Sequence, residues 1–118
     1  MYDQNNIFSK IIRNEVSCSK IFEDDKVLFF NDINPKAKIH ILGMPKAEVI
    51  SLSDFIIQSG ESDFKYFFQK TFEVIKNFKL DKTGYRLITN DGKDSNQEVQ
   101  HFHVHILGGN NLGELNSL

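Results

Sequence analysis

Three of the four histidines in this chain fall within five residues, at every second position of the segment HFHVHILGG (101–109). Side chains alternate between the two faces of a β-strand, so His101, His103 and His105 are predicted to share one face, about 6.5–7 Å from one to the next. Imidazole packs less well than valine and needs hydrogen-bond partners when it is buried. The pattern therefore indicates chemistry rather than a structural role.

Two kinds of chemistry fit a row of imidazoles. Histidines two positions apart on a strand can ligate zinc or iron, but a third protein ligand is needed, and the remaining histidine, His40, has no nearby acid in the sequence. Alternatively, neutral imidazoles act directly on a phosphorus centre, the middle one attacking while its neighbours hold phosphate oxygens and manage protons. An ordinary pKa near 6.5 leaves much of the histidine neutral at cellular pH. Metal binding remains the alternative.

Composition narrows the class of protein. The 118 residues suit a single domain, and 14 basic against 16 acidic residues give a formal net charge of −2 with no basic stretch, so no nucleic-acid partner is expected. No apolar run approaches the length of a membrane span, and the first ten residues lack the order of a signal peptide. We expect a soluble cytoplasmic protein with no membrane partner. Cys18 is the single cysteine, which excludes an internal disulfide.

The segments around the histidines are predicted to form a sheet. The apolar spacing of 7–14 (IFSKIIRN) indicates a short helix, and aromatic and β-branched residues elsewhere indicate strands. Pro35 disfavours helix within a loop at 32–38, and a polar loop is predicted at 90–98. The predicted strands are 19–23, 26–31, 39–44, 85–89 and 99–107.

The clearest helix spans 62–78, where apolar residues, most of them phenylalanine, recur at the i, i+3, i+4, i+7 spacing of one helical face. Ser62 is its candidate N-cap. The phenylalanine stripe is predicted to face the core. The order of elements, with too few crossover helices for a parallel sheet, predicts an α+β fold with a five-stranded antiparallel sheet, one long helix and one short helix.

With these elements in place, the chain resembles a known family. The segment HFHVHIL (101–107) is similar to the His-φ-His-φ-His-φ-φ signature of the histidine triad superfamily of nucleotide-binding proteins and nucleotidyl hydrolases or transferases. The resemblance covers about residues 7–110, implying one histidine triad domain over 1–118 with a tail at 110–118. Leu107-Gly108-Gly109 is similar to the branch of small homodimeric purine nucleotide-binding phosphoramidases. The other segments that carry it are IFSKII (7–12), FEDDKVLFFNDINPKAKIHILGMPK (22–46), GYRLITNDG (84–92) and NQEVQHFHVHILGG (96–109).

The resemblance implies roles for all four histidines. His103 would attack the α-phosphorus and form a covalent nucleotidyl-histidine that water then hydrolyses. His105 would contact the phosphate, and His101 would orient the site from beside the nucleophile. His40 matches a family histidine next to the triad, where a structural and a catalytic role are equally open because Ile39 and Ile41 mark a core strand.

Substrate-binding residues follow from the same resemblance. Asp32, in the DINP segment, matches the acid that accepts hydrogen bonds from the ribose hydroxyls. Without the resemblance, an aspartate at this position would be interpreted as a turn former. Asn90 matches an asparagine near the α-phosphate and the leaving group. Gln97 and Val99 match a loop that approaches the phosphate with side chains and backbone N–H groups. The residues that match the apolar cleft for the base, each also an ordinary core candidate, are Phe8, Ile11, Phe30 and Ile33.

The chain departs from the family pattern at several positions. Asn96 replaces a common glycine, and Glu98 stands where some members of the branch carry a serine that helps to protonate the leaving amine. The tail NNLGELNSL (110–118) lacks the tryptophan and proline found at the ends of some relatives. Ser9 replaces a zinc-binding cysteine of some relatives, so no structural zinc is expected.

The sequence thus predicts a metal-independent hydrolase, with no cofactor, that cleaves purine nucleoside 5′-phosphoramidates or related conjugates to the nucleoside monophosphate. The expected partners are an AMP-like purine nucleotide and a second copy of the chain, the latter from resemblance alone. A nucleotide-binding regulator with weak catalysis and, at lower rank, a histidine-ligated metal enzyme remain the alternatives.

Overall fold

The computed structural model describes residues 1–116. Four helices and five strands lie along them, in the order one helix, three strands, three helices and two strands, and none of these helices is long and apolar enough to cross a membrane. The elements are α1 (Ile7–Ile12), β1 (Lys20–Glu23), β2 (Val27–Asn31), β3 (Ile39–Pro45), α2 (Leu52–Gln58), α3 (Glu61–Asn77), α4 (Leu80–Thr83), β4 (Tyr85–Ile88) and β5 (Val104–Gly108).

The five strands form one antiparallel sheet in the order β1-β2-β3-β5-β4, which confirms the predicted α+β class. The strand that is last in sequence, β5, lies between β3 and β4. Its register with β3 places His105 opposite Leu42 and Leu107 opposite His40, so these four side chains share one face. The topology thus brings His40 and His105, 65 positions apart, to the same part of the sheet.

Each face of the sheet carries its own apolar cluster. Val104 and Ile106 point to the face covered by the helices, as their alternation predicts, and pack there with Phe29, Phe55 and Phe67. On the opposite face α1 contributes Phe8 and Ile11. They pack against the strand residues Leu28, Phe30, Leu42 and Met44. The histidines lie beside this second cluster.

Several helical predictions need correction. The short helix ends at Ile12 rather than at residue 14, and α2 and α4 are additional helices, so two predicted helices become four among the described residues. The N-cap of α3 is Gly60, not Ser62, and no side chain caps it. α2 was missed because it is short and only Phe55 of its residues is buried, which leaves little apolar periodicity to detect.

The phenylalanine stripe of α3 is only partly buried. Phe67, Thr71 and Ile75 face the core, but Phe72 is 46% exposed and Phe78, just past the helix, is 36% exposed. The prediction that the whole stripe faces the core is therefore wrong for Phe72 and Phe78.

The C-terminal segment returns across the outer strand of the sheet. The Arg86 guanidinium on β4 donates to the backbone carbonyls of Gly113 and Glu114, at 3.0 and 3.2 Å. This contact orders the first part of the tail predicted at 110–118. The last two positions of that tail, 117 and 118, lie outside the described residues.

Candidate active site

The histidine segment is not one continuous strand. β5 begins at Val104, so of the three histidines of the segment only His105 lies within it, and the strand predicted at 99–107 is shorter at its start. Opposite the missing part lies Pro45, which has no N–H to continue the ladder. The Phe102 amide instead donates to the carbonyl of Val49, at 2.8 Å. The evenly spaced row of imidazoles is therefore not observed.

The three rings occupy different environments instead. His101 is fully buried, His103 is 6% exposed, and His105 is half-buried. The ring centroids of His103 and His105 are 5.2 Å apart, closer than the spacing along a strand. Their hydrogen-bond partners differ as well, and those partners determine which nitrogen of each neutral ring carries the proton.

His103 has its free lone pair on Nε2. Its Nδ1 lies 2.7 Å from the carbonyl oxygen of His101, and because a carbonyl can only accept, Nδ1–H is the donor. In the neutral ring Nε2 is then unprotonated. The ring edge of Phe8 contacts this imidazole at a centroid distance of 4.8 Å and a 90° interplanar angle, which limits its rotation. His103 thus carries the arrangement that a nucleophile requires.

His101 has both of its nitrogens occupied. Its Nε2–H donates to the Pro45 carbonyl at 2.8 Å, so Nδ1 is the acceptor in the neutral ring. The hydroxyl of Tyr2 donates to this Nδ1 at 2.5 Å. His101 therefore has no free nitrogen for a substrate, and its carbonyl is the group that holds His103.

His40 and His105 form a second hydrogen-bonded pair. The Lys36 backbone N–H donates to His40 Nδ1 at 2.9 Å, which leaves the proton of the neutral ring on Nε2. His40 Nε2 lies 2.9 Å from His105 Nδ1, which must then accept. The proton of the neutral His105 is consequently on Nε2, the nitrogen not used within the protein. The Nε2 of His105 is therefore a hydrogen-bond donor, whereas the Nε2 of His103 is an acceptor.

Burial lowers the pKa of all four imidazoles, with desolvation as the largest cause. The pKa of His101 falls to about 4, and so does that of His105, which nearby histidine charges lower further. A backbone hydrogen bond to His101 opposes the lowering at His103, and the Asp32 charge opposes it at His40. The four rings are neutral at pH 7, as the protonation pattern above requires.

Asp32 is the acid that the sequence did not place near His40. Its backbone N–H donates to the His40 carbonyl at 3.0 Å, and its Oδ2 lies 3.3 Å from His40 Nε2. The other oxygen, Oδ1, accepts the Asn34 N–H at 2.8 Å and shapes the DINP turn. One carboxylate oxygen therefore faces the histidines while the other holds its own loop.

These same side chains meet the first requirement of a metal site. One ligand atom from each of Asp32, His40 and His105 lies within 4.8 Å of the others, and two imidazoles with a carboxylate suit zinc or non-haem iron. However, the Lys36 amide places the proton of His40 on Nε2, the nitrogen that would have to bind the metal. The protonation pattern of the described residues therefore does not fit a resident metal, unless that hydrogen bond breaks.

The loop before the triad is braced by Gln97. Its Oε1 accepts the Gly92 N–H at 2.9 Å, and its Nε2 donates to the carbonyls of Ile50 and Val99 at 2.7 and 3.0 Å. Asn96 adopts a left-handed conformation, with φ 61°, where glycine is common in the family. The Gln97 side chain is thus used within the loop, and its backbone N–H also donates to the Gly92 carbonyl, at 3.2 Å. Asn90 is half-buried at the start of this loop, and Glu98 is exposed.

Three of the four residues predicted for the base cleft lie together. Phe8, Ile11 and Phe30 belong to the apolar cluster on the histidine face, and Val99 packs against it. Ile33 is 91% exposed and lies outside the cluster. The structure therefore gathers an apolar wall beside His103, with Ile33 apart from it.

Comparison with known proteins identifies the family that the chain resembles. Residues 13–112 match the model of the HIT domain family. An uncharacterized HIT-like protein of Rickettsia prowazekii is 45% identical over 112 residues, which cover 95% of this chain and 93% of the relative.

This chain belongs to the HIT family.

Solved structures agree with that membership. A HIT family hydrolase from Legionella pneumophila superposes with a TM-score of 0.82 at 31% identity, covering 92% of this chain and 96% of its own. A histidine triad nucleotide-binding protein from Candida albicans gives a TM-score of 0.77 at 30% identity, covering 86% and 73%. The fold of this chain is thus one that HIT family hydrolases and nucleotide-binding proteins share.

The sequence did not reveal the groups that fix the protons. These are the Lys36 amide and the carbonyls of Pro45 and His101, together with the Tyr2 hydroxyl on the second nitrogen of His101. Backbone amides and carbonyls are the same in nearly every residue, so the sequence does not show which of them will bind a histidine. Tyr2 is 99 positions from its partner, so no local spacing could connect the two.

Proposed function

We propose that this HIT family protein is a nucleotidyl hydrolase that cleaves purine nucleoside 5′-phosphoramidates, or related conjugates, to the nucleoside monophosphate. The observation that carries the proposal is the free Nε2 lone pair of His103, fixed by the Nδ1–H bond to the His101 carbonyl. The neutral ring is both a nucleophile and, once phosphorylated, a good leaving group. A HIT family hydrolase and a histidine triad nucleotide-binding protein share this fold, which supports a hydrolase that acts on nucleotides.

The first chemical step would be attack of His103 Nε2 on the α-phosphorus. A P–N bond to histidine forms, the P–N bond to the leaving amine breaks, and the amine leaves with a proton that it receives from an acid in the site or from solvent. The His101 carbonyl stabilises the imidazolium that develops, because it accepts the Nδ1–H bond. The Nε2–H of His105 is available to a non-bridging phosphate oxygen.

In the second step water attacks the phosphorus of the nucleotidyl-histidine. The P–N bond to His103 breaks, neutral imidazole is regenerated, and the nucleoside monophosphate is released with the oxygen of water. No metal is required in this sequence, because the charge that develops on phosphate oxygens meets N–H donors. Exposed Glu98 lies on the loop that leads into the triad, where it is a candidate for handling the proton of the leaving amine.

For substrate binding, we assign the nucleobase to the wall formed by Phe8, Ile11 and Phe30 with Val99. Ile33, exposed at the DINP turn, would close over the base from outside. Asp32 would accept the ribose hydroxyls, and Asn90 would lie near the phosphate. Gln97 would act through the loop backbone that it braces. We propose that the protein acts in the cytoplasm.

We also propose a homodimer. Leu87 and Tyr85 on β4 are 41% and 42% exposed on the helical side of the sheet, where α3 exposes Phe72. β4 is an outer strand whose free backbone edge can pair with another strand. Two copies that meet through β4 and α3 would cover these apolar side chains, which a monomer leaves in water.

The test is a chelator-treated incubation with adenosine 5′-phosphoramidate, quenched early and analysed by intact mass. We expect an added AMP on the wild type and none on His103→Ala, with turnover lowered by at least about 10²–10⁴-fold. His105→Ala is the matched comparison, because it removes a donor but leaves the nucleophile. A His103→Ala variant with near-normal turnover would contradict the mechanism.

The same experiment separates the alternatives. AMP binding without turnover in the wild type would favour the regulator. Activity that is lost on chelation and restored by zinc or iron would favour a metal enzyme built on Asp32, His40 and His105. Elemental analysis of the purified protein gives an independent answer on the metal.

A further inference from the structure

The N-terminal segment before α1 contacts the most deeply buried histidine. The hydroxyl of Tyr2 lies 2.5 Å from His101 Nδ1, and the two rings meet edge to face, with centroids 5.6 Å apart at 74°. His101 itself has no exposed surface. The N-terminal segment is thus joined to a buried imidazole that lies 99 positions later in the sequence.

This segment is held in place by hydrogen bonds of its own. The Asn6 amide and side chain both donate to the Asp3 carbonyl, at 3.2 and 2.7 Å, and the Asn6 side chain caps α1 by accepting the Ser9 N–H. Gln4 donates to Glu48 at 2.9 Å, beyond the end of β3. The position of Tyr2 is therefore tied to α1 and to the segment after Pro45.

Two hydrogen bonds, joined through His101, link Tyr2 to the proposed nucleophile. The Pro45 carbonyl holds the His101 proton on Nε2, and the Tyr2 O–H donates to Nδ1 on the other side of the ring. With both ends of its ring held, His101 fixes the peptide whose carbonyl accepts Nδ1–H of His103. The Tyr2 hydroxyl thus holds the remaining nitrogen of the His101 ring and, through the His101 peptide, supports the orientation of His103.

We propose that Tyr2 is a positioning residue of the active site, which together with the Pro45 carbonyl locks the His101 ring in its Nε2–H form and thereby supports the peptide that holds His103 with Nε2 free. Its catalytic consequence rests on the proposed function, but its effect on the rings does not. Tyr2 does not touch the reacting atoms. Removing its hydroxyl leaves a buried nitrogen acceptor without a donor and allows the His101 ring to flip or to move its proton.

The test is Tyr2→Phe, which keeps the ring and removes only the hydroxyl. Tyr66→Phe is the matched control, because the Tyr66 hydroxyl also donates to a partner, Asp24, away from the histidines. Long-range ¹H–¹⁵N NMR of the imidazoles reports which nitrogen is protonated in each protein. kcat and KM for adenosine 5′-phosphoramidate are measured in parallel, together with thermal unfolding.

We expect Tyr2→Phe to change the imidazole signals of His101 and His103 and to lower kcat by about 10- to 100-fold with little change in KM. Tyr66→Phe should leave those signals and kcat as in the wild type. Unchanged His101 signals in Tyr2→Phe would overturn the proposal, and so would changed signals with a normal kcat. If the wild type itself does not turn over the substrate, the proposed function fails, while altered signals in Tyr2→Phe still establish the positioning effect.

Discussion

At the scale of single residues, the site works by assigning one proton to each imidazole. The carbonyl oxygens of His101 and Pro45 can only accept, so the histidine nitrogens that face them carry a proton. The Lys36 amide can only donate, so the nitrogen that faces it is unprotonated. Neighbouring rings therefore have opposite polarity, with an acceptor at His103 and a donor at His105. The arrangement depends on neutral rings, so its first testable consequence is a pH dependence.

We predict that kcat/KM keeps its neutral-pH value as the pH falls through 6.5. Protonation of His103 abolishes its lone pair, but burial lowers the pKa of His103 below the ordinary 6.5, so the acidic limb lies at lower pH. A pH–rate profile measures this limb. An acidic limb centred above pH 6.5 would mean that the ring is not buried in the working enzyme.

The free energy of unfolding should also depend on pH through the buried histidines. The pKa values of the folded histidines lie below those of the unfolded chain, so their contribution is fully present above about pH 6.5 and is lost as the pH falls toward 4. In that window the unfolded state binds protons that the folded state does not. Each such histidine lowers the free energy of unfolding by at most about 1.4 kcal/mol per pH unit. Urea unfolding at several pH values tests the sign.

Asn96 offers a prediction that depends on backbone conformation alone. It is exposed and adopts a φ of 61° just before Gln97. A side chain with Cβ is disfavoured there, by about 1–2 kcal/mol for residues less tolerant than asparagine. Asn96→Ala should therefore lower the free energy of unfolding, whereas Asn96→Gly should not. Chemical denaturation compares the two, and equal losses would contradict a conformational cause.

At the scale of elements, close packing of β2 on β3 depends on the absence of a side chain. A Cβ added to Gly43 would lie 2.3 Å from Cε2 of the buried Phe29 ring, on the neighbouring strand. Gly43→Ala should therefore cost about 1–3 kcal/mol through overpacking. The loss should be smaller in a Phe29→Leu background, which removes the ring. Thermal or urea unfolding of the four proteins completes the cycle, and additive losses would rule out a direct clash.

The alternation of apolar and polar residues predicted the sheet, its class and the face to which Val104 and Ile106 point, because each strand repeats a local pattern. The start of β5 could not be predicted, since it depends on Pro45 lying opposite in a strand some sixty residues earlier. The approach of Asp32 to His40 was hidden for the same reason: a turn, not a spacing, produces it. Resemblance to the family supplied the candidate residues; their protonation required the three-dimensional partners.

At the scale of the whole molecule, the proposed dimer makes Leu87 a sensitive position. Leu87→Glu places a charge on the exposed apolar side of β4, where pairing with a second copy would bury it. We expect this variant to sediment as a monomer at concentrations where the wild type is a dimer. Lys82→Glu, an exposed change of charge on α4, is the control and should leave the assembly unchanged. A monomeric wild type would contradict the dimer directly.

The position of β5 between β3 and β4 has a consequence for how the protein is made. While residues 103–108 are still inside the ribosome, β3 and β4 have no partner between them, and both His103 and His105 are absent from the site. The sheet therefore cannot close before these residues are made, and it closes through contacts between distant parts of the chain, which are slow to form. A nascent chain stalled before β5 would display two unpaired strand edges and would lack His103 and His105, so the sheet and the candidate active site should form together when β5 inserts.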